Sequence, residues 1–446
     1  MARVLAVDVG TSSVRAQIFE ADAQEGEATR REYPGETDPA RLVALVREAI
    51  DEAVAGHSYD AVGASCFGHS LLALDERGRP LTPILGWRDT RSADAAGQLA
   101  RRLDAEAVHQ RTGCYVHSSY WPAKLAWLAA EQPRIFQAAR RFVSFPDYLY
   151  EELLGRDVPA STSLASASGL FELHARAWDR ELLAELAVEP EQLPQVSDQA
   201  IEGWYPALLD GACSNLGVGC VTRERAALMV GTSGAFRTVY ETDRPRARRG
   251  LFVHWVDGRR VVEGGSLSDG GSLSHWVDET LKEAGGSLAD RDPGSHGLTF
   301  LALLGGERSP GWHQHAKGAI EGLTFETTPL DLRQAALEGV AFRFAEVAEL
   351  MPEVEEIVAT GGALLNDADW LQIMADALGR PVTVSGVAEG SLRGAAVVAL
   401  ERLGETPSPA SLGRIVEPRP DRAGAYRAAR ERQRSLYDAA TAAWTS

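Results

Sequence analysis

A short strand–turn–strand pattern occurs twice in this chain, once at the start and once near the middle. The segment VGTSSVRAQIF begins at Val9, and VGTSGAFRTVY begins at Val230, an offset of 221 residues. In both copies an apolar strand leads into a Gly-Thr-Ser turn and then into a second strand. Because the offset is close to half of the 446 residues, the pattern favours a duplicated chain with two similar domains that face each other.

The residues around the first copy predict an α/β layer domain. RVLAVDV and SVRAQIFE read as a hairpin, ATRREY as a third strand and YDAVGASC as a further strand. Between the third and fourth strands, Thr37 or Asp38 caps a helix that has Pro39 in its first turn. We place the boundary between the halves near residue 222, so we expect one domain over 1–222 and a second over 223–446.

Charge and composition exclude several classes of protein. A formal charge of −18 argues against sequence-independent nucleic-acid binding and against docking on anionic lipid. The four cysteines have no Cys-x-x-Cys spacing, which favours reduced thiols over a zinc site or disulfides. No signal peptide or transmembrane run is recognisable. We therefore expect a cytoplasmic protein.

The common nucleotide-binding fingerprints are missing from the sequence. There is no G-x-x-x-x-G-K-[ST], and none of the lysines follows a glycine-rich loop. No G-x-G-x-x-G follows a predicted strand either. A P-loop NTPase is thus excluded, and a Rossmann dinucleotide site is unsupported.

The two repeated turns offer another way to bind phosphate. A tight Gly-Thr-Ser turn can aim successive N–H groups at one point, and its hydroxyls add donors. Turns Gly10–Ser13 and Gly231–Gly234 on facing domains could hold a polyphosphate from both sides. Asp8, inside the apolar strand before the first turn, would then supply a carboxylate for Mg²⁺. A single turn of this kind is also typical of an ordinary hairpin.

Asp210 in LLDGACSNLGVG is a candidate general base. It follows an apolar pair and precedes small residues, so a substrate hydroxyl could approach its carboxylate closely. The alternative is a structural role, in which Asp210 caps a helix that starts at ACSNLGVG.

A polar loop follows the strand that ends near Ser65. His69 could donate to a substrate hydroxyl or carboxylate, and Trp87 could pack on the C–H face of a sugar. Asp89 and its neighbouring arginines could bracket oxygen substituents. The alternative is a loop with a packed histidine and a surface salt bridge.

Taken together, these segments resemble the FGGY carbohydrate kinases. The resemblance rests on AVDVGTSS, GHSLLALDERGRPLTPILGWRDTRS, DGACSNLGVG, VGTSGAFR, LLGGERSPGW and TGGALLNDADWLQIMADALGRPV, in this order along nearly the whole chain. Within the family, GHSLLALD, DGACSNLG and GTSGAFRT are most similar to gluconate kinases. The resemblance implies two actin-like, ribonuclease-H-like α/β domains with a cleft between them.

The resemblance also implies ATP-dependent, Mg²⁺-dependent phosphorylation of a sugar hydroxyl. Asp8 then matches the magnesium-associated aspartate and Asp210 the catalytic base. The residues that match the nucleotide site are Gly10, Thr11, Ser12, Gly231, Thr232, Gly306, Gly362, Ala363 and Asn366. The residues that match the sugar site are His69, Trp87, Asp89 and Asp210.

The acceptor and the class of protein leave alternatives open. A carboxylate-bearing acceptor such as gluconate fits the nearby cations Arg88, Arg91, Lys124 and His69. Xylulose, ribulose and glycerol are the alternative acceptors, and an actin-like ATPase or an inactive sugar sensor is the alternative class. The expected partner is a small sugar or sugar acid, without nucleic acid or membrane, and a homodimer stays open.

Overall fold

The computed structural model describes residues 2–23, 27–281 and 286–444. In residues 2–222 the strands are β1 (Arg3–Val9), β2 (Ser13–Glu20), β3 (Thr29–Glu32), β4 (Ala61–Cys66), β5 (Leu72–Leu74), β6 (Arg141–Val143), β7 (Phe171–Glu172), β8 (Ala177–Trp178) and β9 (Leu208–Leu209). The α-helices there are α1 (Pro39–Ala53), α2 (Ala93–Arg102), α3 (Ala105–Thr112), α4 (Trp121–Glu131), α5 (Pro133–Ala138), α6 (Phe145–Leu154), α7 (Thr162–Ser166), α8 (Arg180–Leu186) and α9 (Asp210–Gly217).

The rest of the chain adds a second set of elements. Its strands are β10 (Arg225–Val230), β11 (Gly234–Glu241), β12 (Phe252–Trp255), β13 (Arg260–Leu267), β14 (Thr299–Leu301), β15 (Ala319–Glu321), β16 (Glu356–Thr360), β17 (Val382–Ser385) and β18 (Leu412–Val416). Its α-helices are α10 (Gly271–Thr280), α11 (Pro329–Glu349), α12 (Gly362–Leu365), α13 (Ala368–Leu378), α14 (Gly390–Arg402) and α15 (Ala423–Trp444).

The first sheet has the strand order β3-β2-β1-β4-β9. β1 pairs with β2 as an antiparallel hairpin and with β4 in parallel, so the strand that carries Asp8 lies in the middle of the sheet. Helix α1 covers one face, and Asp38 caps it by accepting hydrogen bonds from the backbone N–H groups of Ala40 and Arg41. The predicted hairpin, third strand, helix and fourth strand of this half are confirmed.

The second sheet repeats this arrangement with additional strands, in the order β12-β13-β11-β10-β16-β17-β18. Its central strand β10 forms a hairpin with β11 and pairs in parallel with β16, as β1 does with β2 and β4. The two Gly-Thr-Ser turns therefore occupy the same place in both sheets. Where one domain ends and the next begins stays a prediction, near residue 222.

Helices α9 and α14 cross at very close range and connect the two halves. α14 comes from the second half of the chain, yet it packs on β1 and β4 of the first sheet as well as on α9. Glycines allow this approach: a methyl group at Gly217 would lie 1.8 Å from the carbonyl oxygen of Gly390, and one at Gly394 would lie 1.9 Å from that of Cys213. The crossing brings the N-terminal ends of both helices to the cleft.

The segment between β4 and β9 forms an extra layer beside the first sheet. It holds α2 to α8, the two-stranded sheet β5–β6 and the hairpin β7–β8, and it includes a separate apolar core with Leu71, Trp121 and Leu182. This layer places the loop that contains Trp87 and Asp89 at the cleft. Among the residues that the structure describes, no helix combines the length and the apolar character needed to cross a bilayer.

Candidate active site

Asp8 occupies an interior position that its two hydrogen-bond partners explain. Its side chain is buried, and one carboxylate oxygen accepts from the Ser65 hydroxyl at 2.7 Å. The other accepts from Nη1 of Arg15, the residue directly opposite in the hairpin, at 2.9 Å. Arg15 also forms an ion pair with Glu389, at 3.0 Å between Nε and Oε2. Burial raises the pKa of Asp8, while Arg15 and Ser65 oppose that rise.

The first turn is held by Tyr33. The Gly10 N–H donates to the Ser13 carbonyl oxygen at 3.0 Å, which closes the hairpin. The Tyr33 hydroxyl donates to the Gly10 carbonyl oxygen at 2.7 Å, and the Tyr33 N–H donates to that of Ser12 at 2.8 Å. These bonds fix the turn backbone from one side and leave the Thr11 side chain exposed toward the cleft.

The second turn is held by the start of helix α10. The Gly231 N–H donates to the Ser233 carbonyl oxygen at 3.0 Å. The N–H groups of Gly271 and Ser272 donate to the carbonyl oxygens of Gly231 at 2.7 Å and Thr232 at 3.0 Å. Thr232 lines the same cavity as Thr11 and Ser12 of the first turn. We call this space, of about 630 Å³, the turn cavity. The two turns therefore face one space.

The turn cavity is one of four connected or neighbouring spaces in the cleft. The central cavity, of about 230 Å³, is lined by Asp8, Asp210, Gly231 and Gly362. The inner cavity, of about 70 Å³, is lined by Asp210, His69, Trp87, His254, Arg237 and Arg308. The outer cavity, of about 880 Å³, is lined by Trp87, Asp269 and Gly306.

Asp210 lies at the junction of the central and inner cavities. It is the first residue of α9, and one carboxylate oxygen accepts from the N–H of the next residue, Gly211, at 2.7 Å. The capping residue of this helix is Leu209, so Asp210 does not serve as the cap that the alternative reading required. Burial raises the pKa of Asp210 to about 6, and nearby Arg237 opposes the rise. A carboxylate with such a pKa is suited to accept a proton near neutral pH.

The structure brings two of the other predicted sugar-side residues to Asp210. His69 and Trp87 line the inner cavity with it. His69 adopts a positive φ of 63°, and its Nδ1 lies 2.6 Å from the Ala167 carbonyl oxygen. Asp89 instead lines the turn cavity, where it accepts hydrogen bonds from Nε of Arg91 at 2.9 and 3.2 Å.

The predicted nucleotide-side residues are spread around the second half of the cleft. Gly306, with a φ of 78°, lines the outer cavity together with Asp269. The Asp269 carboxylate accepts hydrogen bonds from the two backbone N–H groups that directly precede Gly306 in the chain. Gly362 lines the central cavity at the start of α12. Ala363 lies in the same short helix, and Asn366 caps its end by donating from its N–H to the Gly362 carbonyl oxygen at 3.1 Å.

Two arginines in the inner cavity were not singled out from the sequence. Arg237 stands in β11 and Arg308 in the loop after Gly306, and both are less than a tenth exposed. The signal for Arg237 was available: a charged residue inside the apolar run GAFRTVY is the same anomaly that identified Asp8. For Arg308 the local sequence LLGGERSPGW carries no such pattern.

Apart from His69, the cations that were singled out from the sequence do not line the inner cavity and have contacts within the protein. Lys124 is buried, and its Nζ donates to the carbonyl oxygens of His69 and Ser119. Arg91 is engaged by Asp89. Arg88 lines the turn and outer cavities, with its guanidinium carbon 5.0 Å from the centre of the Trp87 ring.

Comparison with known proteins places the chain among sugar kinases. Models of the N-terminal and C-terminal domains of the FGGY family of carbohydrate kinases match residues 3–203 and 226–401. A gluconokinase of Bacillus subtilis (strain 168) is 28% identical, with 91% of this chain and 88% of the relative covered.

Solved structures agree over the full length. A ligand-bound xylulose kinase from Lactobacillus acidophilus superposes with a TM-score of 0.90 at 25% identity, over 100% of this chain and 99% of that one. A gluconate kinase from the same organism gives a TM-score of 0.89, also at 25% identity and with the same coverage. The two-domain α/β fold that the sequence resemblance implied is confirmed.

Proposed function

The chain belongs to the FGGY family of carbohydrate kinases, and from that premise we propose that it transfers the γ-phosphoryl group of ATP to a hydroxyl of a sugar acid, with gluconate the favoured acceptor. The observation that carries the proposal is the position of Asp210, which lines both the inner and the central cavity. An acceptor in the inner cavity and a phosphoryl group in the central cavity would meet at this carboxylate.

In the proposed reaction each side of the cleft has a separate task. His69 and Trp87 orient the acceptor, and Asp210 takes the proton from the attacking hydroxyl as the new P–O bond forms. Gly10, Thr11 and Ser12 of the first turn and Gly231 and Thr232 of the second hold the phosphate oxygens between them. Gly306, Gly362, Ala363 and Asn366 complete the nucleotide side.

The described residues fit a magnesium ion bound mainly through the nucleotide. Mg²⁺ in kinases takes one or two carboxylates, several waters and substrate phosphate oxygens, and there it neutralises charge on the phosphoryl oxygens. No group of three or more His, Cys, Asp or Glu side chains with metal-site geometry occurs in the described part of the chain. Asp8, on the wall of the central cavity, is the carboxylate that we assign to the ion.

Gluconate is favoured by two observations. A gluconokinase is among the relatives, and a gluconate kinase is among the superposed structures. The inner cavity is also lined by two arginines. The superposed xylulose kinase supports a neutral ketose as the second candidate acceptor, with ribulose and glycerol behind it. The proposal also includes action in the cytoplasm.

A coupled ADP-release assay tests the proposal directly. The purified chain with MgATP is screened against gluconate, xylulose, ribulose, glycerol, fuculose and rhamnulose. We expect ADP release that depends strongly on the acceptor, with gluconate giving the highest kcat/KM. A neutral ketose as the best acceptor would replace gluconate and retain the kinase.

The same assay separates the other classes of function. An actin-like ATPase would release ADP at the same rate without any sugar. An inactive sensor would show a sugar-induced rise in Tm with no ADP release. Either result would contradict the kinase proposal.

A further inference from the structure

The inner cavity contains two buried cations that the proposed mechanism has not used. Arg237 and Arg308 are 6% and 8% exposed, and both line this cavity of about 70 Å³. Nε and Nη2 of Arg237 and Nε of Arg308 are buried and have no hydrogen-bond partner in the protein. Buried guanidinium groups normally have every N–H paired, because an unsatisfied charged donor is costly. Because both side chains line a cavity, these three nitrogen atoms are available to a ligand there.

Backbone packing keeps the guanidinium of Arg237 at the cavity wall. Its Nη1 lies so close to Gly211 that a methyl group there would be 2.3 Å from it. Arg308 is held by a hydrogen bond from Nη2 to the Leu267 carbonyl oxygen at 2.8 Å. Its guanidinium carbon also lies 4.4 Å from the centre of the Trp87 ring. Both side chains are thus positioned before any ligand binds.

The charges around the cavity do not balance. Asp210 is the one acidic side chain among the described residues that line it. Burial lowers the pKa of His69 to about 3 and holds that of His254 well below its usual range, so both imidazoles are neutral. Burial lowers the pKa of each arginine to about 10, so both remain cationic at neutral pH. Within the lining of the inner cavity two cations face one carboxylate, while Asp8 and Glu389 lie on the wall of the central cavity.

We propose that Arg237 and Arg308 form a carboxylate-binding subsite for the acceptor, so that the cavity selects sugar acids over neutral sugars. This inference rests on the proposed function and specifies its substrate class. A carboxylate is flat, carries one charge and matches the paired N–H groups of a guanidinium. The carboxylate end of the acceptor would sit between the arginines, and the chain of hydroxyls would extend past Trp87 and Asp210.

The anion could also be a phosphoryl group of the nucleotide, but the positions favour the acceptor. Arg237 lines both the central and the inner cavity, whereas Arg308 is among the residues around the inner cavity and not among those around the central one. Thr11, Ser12 and Thr232 of the turns line the turn cavity and Asp8 lines the central cavity, and Arg308 lines neither of these. Of the turn residues, Ser233 and Gly234 line the inner cavity. A group that touches both arginines is therefore on the acceptor side.

The test compares two acceptors that differ only at the carboxylate. Gluconate and the neutral polyol glucitol, which has CH₂OH in place of the carboxylate, are titrated into the full chain without nucleotide by calorimetry. The variants are Arg237→Met and Arg308→Met, which keep an unbranched side chain about as far as Nε and remove the charged guanidinium. We expect each to weaken gluconate binding by about 10- to 100-fold, as loss of a charged hydrogen-bonded pair does, with glucitol affinity changed by less than about threefold.

Arg259→Met is the matched control. Arg259 is largely exposed and makes one long ion pair with Glu241, at 3.8 Å. This variant changes the net charge by the same amount without touching the cavity, so it should keep wild-type affinity for both acceptors. If all three variants lowered the affinity for gluconate equally, the effect would come from net charge alone, and the subsite would be overturned.

Other outcomes also decide the matter. If the affinities for gluconate and glucitol fell in parallel in the cavity variants, a carboxylate-specific role would be overturned. MgATP is titrated separately into the same variants, and unchanged gluconate binding with weakened MgATP binding would assign the arginines to the phosphoryl group instead. Because binding is measured without nucleotide, selective gluconate binding in a chain that never releases ADP would retain the subsite and reject the kinase proposal.

Folding is checked on the ligand-free variants by thermal unfolding. Removing a buried cation relieves the repulsion between the two arginines and the cost of desolvating the charge, so each methionine variant should unfold at the wild-type Tm or above it. If a methionine variant does not fold, Arg237→Lys and Arg308→Lys replace it. Lysine keeps the charge but cannot form the paired hydrogen bonds of a guanidinium. The affinity for gluconate should therefore fall by about three- to tenfold, and the affinity for glucitol should not change.

Discussion

The two hairpins β1–β2 and β10–β11 have similar strand–turn–strand backbones but carry different charged side chains. Aligned by sequence, Asp8 corresponds to Met229 and Arg15 to Phe236. In the structure the first hairpin pairs Val9 with Val14, whereas the second pairs Val230 with Gly234, one residue earlier. A shift of one residue reverses the face on which every later side chain of the strand lies.

The shift puts Ala235 directly opposite Met229, where Arg15 stands opposite Asp8, and it places Arg237 rather than Phe236 on the face of Met229. Arg237 lies opposite Ala227 and on the same face as Met229, as Arg15 lies on the face of Asp8. In the first hairpin the arginine is paired with the aspartate beside it. In the second, methionine takes the place of the aspartate and the arginine keeps unpartnered nitrogen atoms. The first hairpin thus carries an aspartate paired with an arginine, whereas the second carries an arginine with unpartnered nitrogen atoms.

The largest expected effect concerns Asp210, the proposed base at the start of α9. Asp210→Asn removes the proton acceptor and should lower kcat by about 10² to 10⁴, with the KM for ATP little changed. Steady-state kinetics with gluconate measure both. Asp60→Asn, a surface change, is the control and should stay within about twofold of wild type. A near wild-type kcat for Asp210→Asn would reject the base.

Asp8→Asn tests whether the paired site of the first hairpin serves the metal. We expect activity at limiting Mg²⁺ to fall by about 10- to 100-fold, with partial recovery at high Mg²⁺. The rate is measured over a Mg²⁺ titration at fixed ATP. Met229→Leu changes the aligned position without changing charge, so it should leave the Mg²⁺ midpoint in place. An unchanged midpoint for Asp8→Asn would remove Asp8 from the metal site.

The pH dependence of kcat/KM tests the role of Asp210 through its protonation. Burial raises the pKa of Asp210 to about 6, and the protonated carboxyl cannot accept the substrate proton. The value of kcat/KM should therefore be lost as pH falls through about 6, to about a tenth of its plateau at pH 5. A profile measured with saturating MgATP checks this. A flat profile down to pH 5 would contradict the assignment.

The smallest expected effect distinguishes how tightly the backbone around each of the two turns is packed. A methyl group at Gly271 would lie 2.5 Å from the Gly231 carbonyl oxygen, while one at Gly10 meets nothing closer than 3.3 Å. Gly271→Ala should lower the free energy of unfolding by about 1–3 kcal/mol and raise the KM for ATP, and Gly10→Ala should do less of both. Urea unfolding and ATP kinetics measure the pair. Equal effects would show that the two turns are supported alike.

Local pattern was sufficient for the elements that begin each half. The alternation of SVRAQIFE, the apolar run RVLAVDV and the Asp38-Pro39 start of α1 depend on residues within a few positions of each other. The anomaly of an acid in a buried strand pointed to Asp8 for the same reason. The crossing of α9 and α14 could not be read in this way, because it depends on glycines far apart in the chain that meet only after folding.

The sequence by itself determined that two similar sheets would form, that each would carry a Gly-Thr-Ser turn, and that Asp8 and Asp210 were the acids of interest. Only the tertiary structure decided which charges are neutralised and which are left for a ligand. Asp8 meets Arg15 and Ser65, while Nε and Nη2 of Arg237 and Nε of Arg308 have no hydrogen-bond partner in the protein. The physical reason is that strand propensity acts over neighbouring residues, whereas the state of a buried charge depends on every group packed around it, whatever its distance along the chain.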